Sequence, residues 1–285
     1  FEPGSTSKVI TIAAALEEKV AQPLTELTIP NRLKRADRTF RDAEEHGVEK
    51  LTAAGVLAKS SNIGTIMLGE KVPAATMERY MRQFGLGAET GVGLPESPGI
   101  LAPAGTWNGS QRYTVLFGQG LSLNTLQAAQ VFATIANDGV RVPPSVVSGY
   151  TAADGTYHAT PAGEPVQVVS AETARTVRQM MEGVVIEGGT AVKAAVPGYR
   201  VAGKTGTAQR AVKGGYSGYT ASFIGMAPAE DPALVIAVIL QDPVKGHYGG
   251  EVAAPVFSEL MTYALAHRKV PPSTTKSPEI PSTWQ

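Results

Sequence analysis

Residues 233–241, Ala-Leu-Val-Ile-Ala-Val-Ile-Leu-Gln, constrain the fold of this chain more than any other stretch. The run is far too short to cross a membrane. Its Val and Ile residues favour an extended backbone over a helix. A strand this apolar is expected to be buried on both faces. Residues 199–209 and 219–226 carry two further strand patterns just upstream, and residues 252–267 follow with helical spacing. The C-terminal half therefore reads as a strand-strand-strand-helix block.

The N-terminal half reads differently. Residues 6–20, 49–58, 63–70, 76–84, 125–137 and 170–185 have apolar positions at helical spacing. Met77, Tyr80, Met81 and Phe84 share one face, and Gly85 can stop that helix. Ser170 suits an N-cap. Residues 24–47 are polar and turn-rich, and 85–120 are rich in Gly and Pro, so both predict irregular connections. The fold class expected is α/β (α+β): an antiparallel sheet flanked by helices, plus an all-helical subdomain. Three strands make a thin sheet that further strands would complete. Phe1-Glu2-Pro3-Gly4 reads like the middle of a protein, so a preceding segment is expected to supply those strands. The domain is expected to span 1–268. After Lys269, a run of Pro, Ser and Thr predicts a disordered tail over 269–285.

Composition excludes several classes. The 25 basic and 25 acidic residues cancel, without the basic excess of a nucleic-acid binder. The absence of cysteine excludes disulfides, thiolate metal sites and cysteine nucleophiles. His46, His158, His247 and His267 lack ligand spacing, so neither a metal nor a cofactor is expected.

Three short motifs carry possible chemistry. Ser5-Thr6-Ser7-Lys8 places a lysine three residues after a serine, on the same helix face. A serine hydroxyl needs a neighbouring base, and a lysine kept neutral by burial or nearby positive charge can serve. Alone, Ser-x-x-Lys recurs by chance about once in a chain of this size, and a helix cap beside a solvated lysine accounts for it equally well. Ser60-Ser61-Asn62 falls at a break between helices, where Ser60 could relay a proton and Asn62 could bind a peptide amide. A serine-rich cap would look the same. Lys204-Thr205-Gly206-Thr207 lies in a strand pattern. Its lysine and two hydroxyls suit a carboxylate, and Gly206 leaves room for another backbone to approach. Trp107 and residues 216–219 could line a cleft or simply pack. Gly198 to Thr205 also fits the phosphate-loop pattern, but that loop should end a strand and open a helix, and here it lies inside a strand pattern.

The motifs follow one another as Ser-x-x-Lys, Ser-x-Asn and Lys-Thr-Gly, the set associated with class A β-lactamases and penicillin-binding proteins. The chain resembles the transpeptidase domain of class B penicillin-binding proteins, and among them the division-specific (FtsI-like) type. The likeness runs from Glu2-Pro3-Gly4-Ser5 to about Phe257. It includes Phe117-Gly118-Gln119-Gly120-Leu121, Gly203 to Gln209, Tyr248-Gly249-Gly250 and Ala253 to Phe257. The resemblance implies a peptidoglycan D,D-transpeptidase acting in septal cell-wall synthesis. Ser5 would attack the D-Ala-D-Ala carbonyl of a stem peptide, with Lys8 as base and Ser60, with Lys204, protonating the leaving amine. The backbone N–H groups of Ser5 and Thr207 would form the oxyanion hole. Asn62, Thr205, Gly206 and Thr207 would bind substrate. β-Lactam antibiotics would acylate Ser5. Partners would include a membrane glycosyltransferase and other division proteins, and no nucleic acid. The location implied is the bacterial cell envelope, outside the plasma membrane, with the anchor in the preceding segment. A serine β-lactamase or a D,D-carboxypeptidase shares the nucleophile. The former needs a base for deacylation, and neither Glu89 nor Glu96 is singled out for that task.

Overall fold

A computed structural model of the chain describes residues 1–161, 163–212 and 214–285. A 3-10 turn, Gly4–Ser7, runs straight into helix α1 (Lys8–Glu17). Strand β1 (Glu26–Ile29), hairpin β2 (Leu33–Arg35) and β3 (Arg38–Phe40), and β4 (Glu49–Thr52) come next. Helices α2 (Ala53–Ala58), α3 (Asn62–Gly69) and α4 (Ala74–Gln83) follow. The segment after α4 holds a 3-10 turn (Ala104–Thr106), short helix α5 (Gln111–Thr114) and a second such turn (Val115–Phe117). Helix α6 (Thr125–Ala136), strands β5 (Val140–Arg141), β6 (Gly149–Thr151), β7 (Tyr157–Ala159) and β8 (Val166–Gln167), and helix α7 (Ala171–Glu182) complete the helical region. Strands β9 (Ala202–Val212), β10 (Gly215–Ala227) and β11 (Leu234–Gln241) then form one antiparallel sheet in the order β11-β10-β9. Helices α8 (Gly249–Val252) and α9 (Ala254–His267) close the chain's regular structure.

Helix α1 lies at the centre of the fold. Every residue from Lys8 to Ala15 is buried. A helix apolar all round has to be enclosed on all sides, and α2, α3, α4 and α7 pack around it. The sheet has two covered faces. Phe223 of β10 meets Phe257 of α9 edge-on at 4.7 Å, beside Met261 and Leu265. On the other face, Ala202, Ile224 and Met226 join the core built around α1.

Several local expectations need correction. Residues 24–47 carry β1, β2 and β3, and the first part of the helix predicted over 49–58 is strand β4, paired with β1. Thr52 ends that strand and caps α2, its hydroxyl accepting from Gly55 N–H at 3.0 Å. The apolar stretch over 233–241 carries β11, which among the described residues is an outer strand paired only with β10. Only Val238 is buried in it, and its other apolar residues stay half-buried because one edge of the strand has no partner among the described residues.

The tail over 269–285 was expected to be disordered, yet it packs against the body. Ser282 carbonyl accepts from Thr52 N–H at 3.1 Å, and Pro281 carbonyl accepts from Thr52 Oγ1 at 2.6 Å. Trp284 donates its indole N–H to Leu27 carbonyl at 3.1 Å and stacks under Lys50 Nζ at 4.6 Å. The tail thereby extends the β1–β4 ribbon, with Leu51 bridging to Thr283. A Cβ on Gly55 would fall 1.8 Å from Ser282 carbonyl, so α2 needs glycine there to admit the tail. The Pro and Ser content concealed this docking, because the anchoring residues come last. Deleting residues 281–285 is expected to cost about 2 kcal/mol through the lost hydrogen bonds. It should lower Tm by roughly 4–8 °C in thermal unfolding followed by circular dichroism. An unchanged Tm would show that the tail carries none of the stability.

Candidate active site

The sequence motifs meet at the edge of β9. Ser5 sits in the 3-10 turn and is half-buried, while Lys8 opens α1 with no exposed surface. The turn is pressed against β9. A Cβ on Gly206 would lie 3.0 Å from Pro3 carbonyl, 3.0 Å from Thr6 Cγ2 and 2.3 Å from Ser222 Oγ. Glycine is therefore required at the third position of Lys-Thr-Gly, because the backbone before Ser5 occupies its side-chain space. Gly118 has the same role on the other side: it accepts from Gly4 N–H at 3.0 Å, and its own Cβ would strike Gly4 carbonyl at 2.1 Å.

Ser60 falls in the break between α2 and α3 with φ +61°, a left-handed conformation that is uncommon outside glycine. The kink turns its carbonyl and hydroxyl toward α1. Lys8 Nζ donates to Ser60 carbonyl and approaches Ser60 Oγ at 3.2 Å. Asn62 starts α3 and donates one side-chain N–H to Arg41 carbonyl at 3.1 Å. Ser61 is the helix cap, its hydroxyl accepting from Gly64 N–H at 2.9 Å.

Strand alternation splits the third motif. Lys204 pairs with Ile224, and Thr205 with Phe223, so Lys204 and Gly206 face the α1 side while Thr205 and Thr207 face α8 and α9. The three polar side chains therefore do not share one face of the strand. Lys204 Nζ instead stays near the strand edge, 3.3 Å from both the carbonyl and the hydroxyl of Thr205. Thr205 Oγ1 also pairs with Thr190 Oγ1 at 2.9 Å, and Thr207 Oγ1 accepts from Gly249 N–H at 3.1 Å.

The electrostatics follow from burial. Lys8 and Lys204 are both wholly enclosed. Desolvation pushes the Lys8 amine down to about 7, against an opposing pull from the Asp42 carboxylate. Lys204 is held well below the ordinary lysine range by burial and by the nearby Lys8 charge. Two ammonium groups in one dry pocket repel, so the neutral amine, a proton acceptor, becomes available near neutral pH.

Asp42 was not singled out by sequence. It lies in a turn-rich stretch and meets α3 across 20 residues, so no local pattern marks it. Thr190 and Gly249 were also unassigned; they approach Thr205 and Thr207 only through tertiary packing. Trp107 donates its indole N–H to Ala102 carbonyl at 2.9 Å, and Tyr219 stacks on His247 at 4.4 Å.

Comparison with known proteins places this geometry. Residues 1–262 match the penicillin binding protein transpeptidase domain family. The chain is 43% identical to penicillin-binding protein PbpB of Mycolicibacterium smegmatis over 98% of its own length and 45% of that protein's. It is 38% identical to the peptidoglycan D,D-transpeptidase FtsI of Escherichia coli K12, over 95% of the chain and 45% of the relative. It thus spans less than half of either relative. Penicillin binding protein 3 of Mycobacterium tuberculosis, complexed with ampicillin, superposes with a TM-score of 0.95 at 39% identity, over 100% of this chain and 66% of that one. The chain belongs to the transpeptidase domain family of penicillin-binding proteins, among its class B, division-type members.

Proposed function

We propose that this domain is the catalytic unit of a peptidoglycan D,D-transpeptidase working in septal wall synthesis on the outer side of the bacterial plasma membrane. The observation that carries the reading is the enclosed Lys8 amine, one helical turn from Ser5 and in contact with Ser60. Its lowered pKa, about 7, suits a general base at neutral pH.

In the proposed reaction Ser5 Oγ attacks the carbonyl between the two D-alanines, and its proton passes to Lys8 Nζ. The N–H groups of Ser5 and Thr207 hold the developing oxyanion. The C–N bond then breaks, and the proton returns through Ser60, with Lys204 alongside, to the departing D-alanine amine. An amine from a neighbouring strand attacks the Ser5 ester, and Lys8 takes that amine's proton and hands it to Ser5 Oγ as the ester C–O bond breaks. Thr205 and Thr207 bind the substrate carboxylate against the narrow backbone of Gly206, and Asn62 binds the peptide amide. A β-lactam would follow the first half and stay on Ser5 as an ester. A membrane glycosyltransferase and other division proteins are the proposed partners.

The β-lactamase alternative finds little support. Glu96 already accepts from Thr90 N–H at 2.7 Å, Thr90 Oγ1 at 2.9 Å and Asn124 Nδ2 at 3.0 Å, and Glu89 is exposed. Neither is poised to activate a water.

Intact-mass spectrometry after brief exposure to benzylpenicillin tests the reading. A lasting adduct of one penicillin is expected, absent in Ser5→Ala. A transient adduct with consumed penicillin would point to a β-lactamase, and no adduct on the folded chain would overturn the assignment of Ser5. The acylation rate constant should rise with pH through about 7, because Lys8 accepts the proton only when neutral. Lys8→Ala should lower the rate by about 10²–10⁴-fold. A rate independent of pH between 5 and 9 would remove Lys8 from the role of base.

A further inference from the structure

We propose that Asp42 is a positioning residue of this site: its carboxylate fixes the Ser60–Asn62 turn against which the Lys8 amine rests. The inference rests on the reading of Lys8 as the base.

The geometry is specific. One carboxylate collects four polar contacts. Asp42 Oδ1 accepts from Asn62 N–H at 2.6 Å and from Ile63 N–H at 2.9 Å. Asp42 Oδ2 accepts from Ser61 Oγ at 2.7 Å and lies 3.1 Å from His46 Nε2. The first N–H groups of a helix have no partner within it, and they attract negative charge. Ser61 serves Gly64, and Asp42 serves the two N–H groups that come before it. Every residue of the Ser-Ser-Asn motif is thereby tied down: Ser60 by Lys8, Ser61 and Asn62 by Asp42.

The loop holding Asp42 is itself held. His46 Nδ1 lies 2.6 Å from Gly47 carbonyl and 3.9 Å from Glu49 Oε2, and Arg41 carbonyl accepts from Asn62 Nδ2. The Asp42 side chain is only 10% exposed, so solvent screens its charge weakly.

The electrostatic part has a definite sign. Among the described residues, the charged or titratable groups that bear on Lys8 are Lys204 from β9 and Asp42 from the loop before β4, with His46 and Glu49 behind Asp42. Burial lowers the Lys8 pKa, and Asp42 is the group that raises it. Without Asp42, Lys8 would lose its proton at lower pH. Its neutral amine would also bind a proton less well as Ser5 gives one up. Asp42 thus offsets part of the desolvation that frees the base.

Second-order acylation by benzylpenicillin, followed by intact mass between pH 5 and 9, tests both parts. Asp42→Asn keeps the shape and removes the charge. Its acid limb should move to lower pH than in the wild-type chain, and its plateau rate should fall about tenfold as the turn loosens. Asp42→Glu keeps the charge and should return the limb toward its wild-type position. Asp42→Asn in a His46→Gln background should shift the limb the same way, which excludes the imidazole as its source. Thermal unfolding confirms that each variant is folded. A folded Asp42→Asn whose limb stays at the wild-type pH would overturn the proposal, even if its plateau falls. Failure of the wild-type chain to form the Ser5 adduct would instead count against the transpeptidase reading.

Discussion

Two lysines without exposed surface share one pocket, and much of this fold is explained by what it takes to keep them there. An isolated buried ammonium is costly, and such a group escapes the cost by giving up its proton. Lys8 opens the central helix, so it cannot withdraw toward solvent without moving the core. Lys204 lies on a strand whose opposite face is sealed by Phe223 and α9. The helical region and the sheet therefore meet at a point of high proton cost, and a weakly basic amine results. The same lysines on a surface would be solvated cations without catalytic value.

Close backbone approach is the second requirement. The turn that carries Ser5 touches β9 on one side and Gly118 on the other. Gly249 continues the pattern: its own Cβ would lie 2.1 Å from Ser222 carbonyl and 2.5 Å from Gly206 carbonyl. These glycines occupy three separate segments, yet each leaves space where another backbone passes. A methyl group at any of them would force apart elements that have to stay within about one hydrogen bond of each other.

The sequence revealed elements whose signals are local. The α6 and α7 patterns, the Ser170 cap and the strand-strand-strand-helix block all rest on neighbours within a few residues. The motifs of the candidate site were legible for the same reason, since Ser-x-x-Lys and Ser-x-Asn are one-turn patterns. What failed was long-range. Strand β4 was read as helix because its partner, β1, hides in a polar stretch. The apolar content of β11 predicts burial on two faces, but content does not reveal which strand stands at an edge. The tail looked disordered because its anchors, Ser282 and Trp284, gain meaning only against Thr52 and Leu27. Asp42 escaped notice for this reason too.

The charge balance of the pocket links these pieces. In the proposed reaction the substrate brings a carboxylate to Thr205 and Thr207. That charge favours a proton on Lys204, whose amine already lies against Thr205. A charged Lys204 disfavours a second proton on Lys8, because the two amines repel. Substrate binding would therefore leave Lys8 neutral at the moment Ser5 has to lose its proton. Asp42 acts in the opposite sense, and in the proposed reaction it would keep Lys8 basic enough to accept that proton. A site with Lys204 alone would hold the substrate without a strong base, and a site with Asp42 alone would hold Lys8 protonated. In the proposed reaction, a cation and a carboxylate acting in opposite senses on one buried amine would let the same fold bind an anion and deprotonate a hydroxyl.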